Sequence, residues 1–439
     1  MSTHEFIALA TVIGVLLTAL PLVRLAALRL GASVELARKG VHVCMGLACM
    51  GFPWIFHEPY TVWLLALSAS GLLIILRSVP ALRDGIGSAL HGVQRVSYGE
   101  ILFAPAIATV FQLSGGDPVY YLIPIAVLTI ADAAGALTGA RWGRLRYICG
   151  EDYKTVEGSL AFLACAFLCV FLPLQWLTDL PTFHLVAISL ILAILTMIGE
   201  GISDRGFDNL VLPIGAYFIL ERLLPLDAGP LIMRLIALTI LSGLVLWGCR
   251  WSTLNGSSLL GGALLLYGCA ILGDWRFALP LLALYLCHMC TTRRHQLVGT
   301  LSHPIRAVIG VTLACLPWLI ANAGEYLPTP TALAGLSFAM ATQLAIFDMS
   351  TWVYLTKGKP SIFRSIPKGW LIAGAPGLVW LVIPNGLQLL APMALSLIVG
   401  AIAVKAMHRI QGDAPRHEHW LTKGSFALIS STPALLLMP

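Results

Sequence analysis

Long, uninterrupted apolar segments recur along the whole chain, and they constrain its fold more than any motif does. A bilayer-spanning helix takes about 20 residues, whereas the strands of a transmembrane barrel alternate apolar and polar residues. Because the runs are continuous, the sequence predicts an all-α polytopic membrane protein with roughly 14–16 transmembrane helices in two halves. The predicted spans lie near residues 6–24, 41–56, 60–76, 101–114, 118–139, 158–178, 182–199, 210–224, 229–249, 258–272, 277–292, 305–322, 330–355, 370–384, 389–407 and 424–438. The regions 210–224 and 258–292 are also compatible with re-entrant segments.

Charged residues are scarce, and this excludes several classes of protein. They make up 11% of the 439 residues, against about 25% in a typical soluble domain. The composition therefore excludes an ordinary soluble enzyme, a disordered chain, a coiled coil and a nucleic-acid-binding module, and we expect no nucleic-acid partner. The segment 225–230, PLDAGP, is the best candidate boundary and divides the chain into 1–225 and 226–439.

Basic residues indicate how the chain is oriented. If the N-terminus lies outside, all but three of the 27 Lys and Arg residues fall in loops on one side; the exceptions are Arg222, Arg234 and Arg276. Loops rich in Lys and Arg face the cytoplasm. We therefore expect an integral protein of a bacterial inner (cell) membrane whose main polar clusters share the cytoplasmic side.

The strongest functional signal is Asp132, which lies inside a predicted span. An ionisable group at that depth is costly and indicates a functional site. Gly135, Gly139 and Gly143 follow in one helical stripe with Asp132. A glycine stripe allows a ligand or a second helix to approach closely, so ligand binding and helix packing both remain possible explanations of the glycines.

The segment after this stripe offers groups that bind phosphate and metal. Lys154 precedes a predicted helix start at Thr155–Ser159, where backbone N–H groups can bind phosphate. Asp132 and Glu157 are oxygen ligands of the kind that Mg²⁺ prefers, which is one or two carboxylates together with substrate phosphates. The sequence therefore predicts a metal–phosphate site around Asp132.

Three other polar clusters share the predicted cytoplasmic side. Glu35, Arg38, Lys39 and His42 fall on one helical face and form either an anion site with an acid–base group or a simple cytoplasmic anchor. The second cluster is the segment 94–100, QRVSYGE, and the third is the carboxylate-rich segment 199–213, GEGISDRGFDNLVLP. No Walker A motif and no protein-kinase signature occurs in the sequence.

These segments resemble the membrane family of CTP-dependent lipid-alcohol kinases, which includes phytol kinases and dolichol kinases. The family pattern runs E-x-x-R-K-x-x-H, R-x-S/T-Y-G-E, D-x-x-A-x-x-x-G-x-x-x-G, K-S/T-x-E-G-S and E…D-N-x-x-x-P, and it is matched in this order over residues 35–213. Gly135 stands where the family usually has Ala. The resemblance implies that residues 1–225 form a phytol or dolichol kinase-like transmembrane catalytic domain.

The resemblance also implies the chemistry and the residues that carry it. The expected reaction transfers the γ-phosphoryl group of CTP to an isoprenoid alcohol taken from the bilayer lipids, with Mg²⁺ or another divalent cation. The implied catalytic residues are Asp132, Glu35, His42 and Lys154. The implied nucleotide contacts are Arg38, Lys39, Gly139, Gly143, Lys154, Thr155, Glu157, Gly158, Ser159 and Asn209. The implied metal ligands are Asp132, Glu157 and Asp208.

The second half weakly resembles a sister transmembrane family that includes phytyl-phosphate kinases. That family has a D-T-W-A-x-E pattern followed by K-P and G-T-x-G-G. Here Ser350 occupies the Asp position unless Asp348 replaces it, Leu355 lies near the Glu position, and Ala375 replaces the Thr. Residues 226–439 are therefore interpreted as a diverged domain of related type, either catalytically silent or a working phosphate kinase.

Two rival functions use similar features. A phosphatidate cytidylyltransferase also combines CTP, metal and lipid, but its C-terminal K-D…H-G-G signature does not occur here. A transporter would fit a long two-halved chain, but it would place its ionisable groups near the midplane. Polar clusters on one side favour an enzyme.

Overall fold

The computed structural model describes residues 2–29, 31, 34–78, 98–149, 152–203, 205–295, 297, 302–356, 361–411 and 419–438. The chain divides into two compact units, Met1–Leu238 (unit 1) and Thr239–Pro439 (unit 2). The division falls within one helix, Ala228–Trp251.

Unit 1 is helical apart from a single hairpin in its described part. Its helices are α1 (Thr3–Arg29), α2 (Val34–Met50), α3 (Phe52–Ile55), α4 (Pro59–Ser78), α5 (Gly99–Ser114), α6 (Pro118–Trp142), α7 (Val156–Leu177), α8 (Thr182–Ile202), α9 (Asp208–Leu223) and the first part of α10 (Ala228–Trp251), which continues into unit 2. Between α6 and α7, strand β1 (Arg146–Cys149) pairs antiparallel with β2 (Asp152–Thr155). The sequence predicted a loop there, so the hairpin is new.

Local sequence explains where the helices around this hairpin begin. The Asp117 carboxylate accepts a hydrogen bond from Val119 N at 2.8 Å, and Pro118 follows at the first helical position. Both features favour a helix N-terminus. Thr155 starts α7 in the same way, because its hydroxyl accepts a hydrogen bond from Gly158 N at 3.2 Å. The cap joins the end of the hairpin directly to α7.

Aromatic side chains fill the core of unit 1. Phe52, Phe56, Phe103, Phe111 and Tyr121 are all buried there. The hydroxyl of Tyr121 donates a hydrogen bond to the backbone oxygen of Cys49 at 2.9 Å, so its buried polar tip is satisfied. This core holds α2 against α6, which carry the two halves of the site described below.

Unit 2 is built around one buried helix. Its helices are α11 (Gly256–Gly273), α12 (Trp275–Arg294), α13 (Ile305–Ala323), α14 (Thr329–Thr356), α15 (362–385), α16 (Leu390–Gln411) and α17 (Trp420–Ser431), with 3₁₀ turns at Gly386–Leu389 and Thr432–Leu437. An 18-residue stretch of α14 is 94% buried. A helix that is apolar on all sides belongs in such a central position.

The predicted fold class is confirmed. Eight helices in the described part of the chain are long and apolar enough to cross a membrane: α6, α7, α8, α10, α11, α13, α14 and residues Gly386–Ile410. Shorter apolar helices occur at Thr3–Val15, Pro59–Ile75 and Gly99–Ser114. The predicted bounds 158–178 and 182–199 agree closely with the observed α7 and α8.

Candidate active site

Asp132 lies buried directly after a π-helical turn, Val127–Ala131, in the middle of α6. Such turns occur frequently at functional sites. Lys39 of α2 donates a hydrogen bond to Asp132 Oδ2, with 2.6 Å between nitrogen and oxygen. Both side chains are less than a tenth exposed. The predicted functional Asp therefore sits in a buried ion pair between two helices.

His42 lies one helical turn further along α2. Its Nε2 is 3.5 Å from Asp132 Oδ2 and 3.0 Å from the backbone oxygen of Leu128, which belongs to the π turn. A carbonyl oxygen only accepts hydrogen bonds, so Nε2 carries the proton in this contact. In the neutral ring, Nδ1 is then the nitrogen that can accept a proton.

Lys154 reaches the site from the hairpin. Its ammonium donates to Glu200 Oε1 at 2.6 Å and also to the backbone oxygen of Glu200, which lies in the last turn of α8. Burial lowers the pKa of Lys154, but the negative charges of Glu200 and Asp208 outweigh burial and hold that pKa above its usual range. Lys154 is therefore a fixed positive charge at neutral pH.

Electrostatic interactions join these pairs into one group. Asp132 interacts with Lys39, His42 and Lys154, and Asp208, at the start of α9, interacts with Asp132 and Lys154. Glu200 interacts with Asp132 and Asp208. We call Lys39, His42, Asp132, Lys154, Glu200 and Asp208 the Asp132 cluster. Five segments of unit 1 contribute to it: α2, α6, the hairpin, α8 and α9.

The Asp132 cluster, with Lys39 and Asp132 buried and the other four side chains half-buried, can be compared with known proteins. The phytol kinase of Synechocystis sp. (strain ATCC 27184 / PCC 6803 / Kazusa) is 31% identical to this chain over 191 residues, which are 42% of this chain and 78% of that protein. The chain belongs to the phytol kinase family. No family model matches it, and no solved structure matches it.

Within this family member, the structure assembles most of the predicted catalytic residues. Asp132, His42 and Lys154 come together with the predicted contacts Lys39 and Asp208. Arg38 is exposed on the same helix and interacts with His42. The side chain of Glu35 lies outside the described residues, as do Arg95 and Ser97 of the second polar cluster.

Glu200 belongs to the cluster but was not among the predicted site residues. The sequence signal was present, because Glu200 precedes the D-N-x-x-x-P segment that contains Asp208. Glu157, predicted as a metal ligand, instead lies at the start of α7, where both carboxylate oxygens are 3.2 Å from Leu145 N. Glu200 rather than Glu157 is the glutamate that the structure places with Asp132 and Asp208. The metal role of Glu157 stays a prediction, and the contact of its carboxylate with Leu145 N gives that role no support.

The other predicted nucleotide contacts have partners near the hairpin. Thr155 caps Gly158 N as described, the hydroxyl of Ser159 lies 2.8 Å from that of Tyr147, and Asp208 accepts from Asn209 N at 3.0 Å. These contacts account for the fold of this region, and the nucleotide contacts stay predictions.

The glycine stripe packs α6 against the start of α7. A Cβ added to Gly139 would lie 2.8 Å from Thr155 Oγ1, and one added to Gly143 would lie 2.4 Å from Thr155 Cγ2. A Cβ on Gly158 would lie 2.8 Å from the oxygen of Gly135. Close packing therefore accounts for these glycines, and the nucleotide contacts predicted for Gly139 and Gly143 stay predictions.

Proposed function

We propose that this protein is a CTP-dependent kinase that phosphorylates phytol or a similar isoprenoid alcohol. Two observations support the proposal: membership of the phytol kinase family, and the Asp132 cluster, which joins the residues expected for phosphoryl transfer. The choice of CTP as donor comes from the family resemblance, because no residue in the cluster identifies a cytosine ring.

Phosphoryl transfer is catalysed mainly by positioning the reactants and by stabilising the charge of the transition state. Lys39 and Lys154 are ammonium groups held at 2.6 Å from Asp132 and Glu200, which fixes their positions before any ligand arrives. Preorganised charges of this kind stabilise the transition state without reorganising during the reaction. In the proposal, both lysines contact the transferred phosphate, and the carboxylates keep the lysines aligned.

The charge balance of the cluster supports a divalent cation. Its three carboxylates outnumber its two ammonium groups by one, and the exposed Arg38 near His42 only restores neutrality. Among these described residues, no net positive charge remains to balance a triphosphate. Mg²⁺ that arrives with the nucleotide needs only one or two protein carboxylates. Asp132 and Asp208 would hold it, and the bound ion would neutralise phosphate charge. The described residues contain no group of three or more ligands that would bind a metal without the nucleotide.

The acceptor hydroxyl requires a group that can take its proton. Asp132 is engaged by Lys39, whereas His42 keeps Nδ1 available when Nε2 donates to Leu128. We assign His42 as the proton acceptor and Asp132 as the group that orients its ring. The alcohol enters laterally from the bilayer, with its chain among the helices of unit 1.

The Lys and Arg bias of the loops supports a reaction on the cytoplasmic face of a bacterial inner membrane. Arg141 and Arg144 precede the hairpin that carries Lys154, Arg146 begins its first strand, and all three support the same side. CTP then reaches the cluster from the cytoplasm, while the alcohol and its phosphorylated product stay in the membrane.

The decisive experiment incubates the purified full-length protein with CTP and phytol in detergent. With γ-labelled CTP, label should appear in a lipid monophosphate, with CDP as the second product. Label in pyrophosphate, together with a CDP-lipid, would instead identify a cytidylyltransferase. Equal or faster reaction with ATP would refute the donor assignment and leave the kinase assignment intact. No labelled product with any of a panel of lipid alcohols would refute the kinase proposal.

A further inference from the structure

The hairpin between α6 and α7 presents two different faces. Its register pairs Tyr147 with Lys154 and the neighbouring Ile148 with Tyr153. Directly opposite residues share one face of an antiparallel pair, and successive residues alternate between the faces. Tyr153 is 66% exposed, whereas Lys154 on the other face donates to Glu200. Tyr147 therefore lies on the face that is turned toward the Asp132 cluster.

The hydroxyl of Tyr147 forms a second link between the hairpin and α7. It lies 2.8 Å from the hydroxyl of Ser159, which belongs to the first turn of that helix. Burial and the negative charge of Glu200 raise the pKa of Tyr147 to about 12, so the phenol keeps its proton at neutral pH. The phenol also interacts with the charge of Lys154. The two hydroxyl groups and the Lys154 ammonium therefore lie in the same part of the site.

This hydroxyl pair has one proton more than its shared hydrogen bond uses. Each hydroxyl can donate one proton, and a single hydrogen bond joins Tyr147 and Ser159. Because a phenol is more acidic than an aliphatic alcohol, Tyr147 is the better donor and Ser159 the better acceptor. Ser159 then keeps its own proton for a further acceptor. Its side chain is half-buried, so a ligand can reach it.

Two backbone N–H groups at the start of α7 are already used within the protein. Val156 N donates to the backbone oxygen of Leu145 at 2.9 Å, and Gly158 N donates to the Thr155 hydroxyl at 3.2 Å. A phosphate bound beside Lys154 therefore requires other donors. The hydroxyl group of Ser159, one residue further along the helix, can supply one.

We propose that Tyr147 is a positioning residue for the phosphates of the nucleotide. Its hydroxyl donates to Ser159 Oγ and thereby directs the Ser159 proton toward a phosphate oxygen of the triphosphate that Lys154 also binds. Tyr147 itself does not touch the nucleotide. This role rests on the proposed use of CTP, and Tyr147 lies outside the five segments of the family pattern.

The test measures equilibrium binding of α-labelled CTP with Mg²⁺ to the purified full-length protein in detergent, without an alcohol. Ser159→Ala should weaken binding about tenfold or more, because a hydrogen bond to a charged group is lost. Tyr147→Phe keeps the ring but loses the directing hydrogen bond, and it should weaken binding about three- to tenfold. Ser159→Thr keeps a hydroxyl group and should retain most of the affinity.

The double variant separates positioning from a merely structural role. Because Tyr147 acts only through Ser159, Tyr147→Phe combined with Ser159→Ala should bind CTP no more weakly than Ser159→Ala alone. Tyr153→Phe is the matched control, since it removes a phenol from the exposed face of the same hairpin and should bind like the parent. Additive losses in the double variant would overturn the proposal. Parent-like CTP binding by Tyr147→Phe with a lowered unfolding temperature would overturn it too, because the pair would then only hold the hairpin.

Failure of the proposed function gives a different result. Transfer of label from γ-labelled CTP to phytol is measured on the same proteins. If the parent binds CTP but phosphorylates no alcohol, while Tyr147→Phe and Ser159→Ala keep their losses of affinity, the kinase proposal is refuted and the positioning role is supported. A parent that binds no CTP would overturn both.

Discussion

Neutralising Asp132 is the sharpest test of the proposed active site. Asp132→Asn keeps the size of the side chain and one acceptor oxygen but removes the charge that faces Lys39 at 2.6 Å and His42 at 3.5 Å. If Asp132 aligns both groups and shares the metal, its loss should lower kcat by about 10²–10³, as removal of a preorganised electrostatic group commonly does. The assay is formation of labelled phytyl monophosphate under saturating CTP and phytol.

The same substitution also affects stability, and the two effects can be separated. Lys39 is buried, so the single variant leaves an unpaired ammonium, and breaking a buried pair from one side costs about 3–5 kcal/mol. The double variant Asp132→Asn with Lys39→Met removes both charges and should regain most of the lost thermal stability. It should not regain activity, because both groups are proposed to act on the phosphate.

Asp274→Asn is the matched control. Asp274 pairs with Arg276 at 2.5 Å, but this pair lies in unit 2 at the start of α12, and both side chains are about one-third exposed. Activity should stay within a few-fold of the parent. The reasoning fails if Asp132→Asn retains parent-like kcat at equal folding, or if the double variant recovers activity together with stability.

Three further predictions concern the hairpin, the glycines and the orientation. Lys154→Met should lower kcat about 10²-fold in the same assay, while Glu200→Gln, which leaves Lys154 in place, should lose less; the reverse order would contradict the assigned phosphate contact. Gly158→Leu should lower both thermal stability and activity, because its Cβ would meet a backbone oxygen at 2.8 Å, whereas Gly215→Leu, with open surroundings, should do neither. Tyr153 and Asp179 are exposed near opposite ends of α7, so each can be replaced by a single cysteine in a background without native exposed cysteines. Tyr153→Cys should be labelled only from the cytoplasm, and Asp179→Cys only from outside. Labelling of Tyr153→Cys from outside would reverse the proposed orientation.

The sequence was most informative where one physical rule dominated. Continuous apolar runs predicted α7, α8 and α13 within a few residues, because a helix that faces lipid must be apolar along its length. The buried acidic residue was also identifiable, since Asp132 has no other explanation within an apolar segment. In the structure Asp132 is buried directly after the π turn and pairs with Lys39 of α2, which agrees with that inference.

What the sequence could not predict depended on short-range geometry. The strands of the hairpin have only four residues each and no alternating apolar pattern, so no periodicity distinguished them from a loop. Glu157 and Glu200 look equally suitable as ligands in the sequence, and only the hairpin decides between them. The hairpin brings the Lys154 ammonium to the Glu200 carboxylate, while the Glu157 carboxylate accepts a hydrogen bond from Leu145 N.

The charge balance of the Asp132 cluster predicts that the reaction requires a divalent cation. In the Asp132 cluster the carboxylates equal or outnumber the cations, so a triphosphate can bind only if a divalent cation adds positive charge. Chelation with EDTA should therefore abolish transfer of label from CTP to phytol. Mg²⁺ should restore the transfer. Undiminished transfer of label in the presence of EDTA would refute the argument from charge balance.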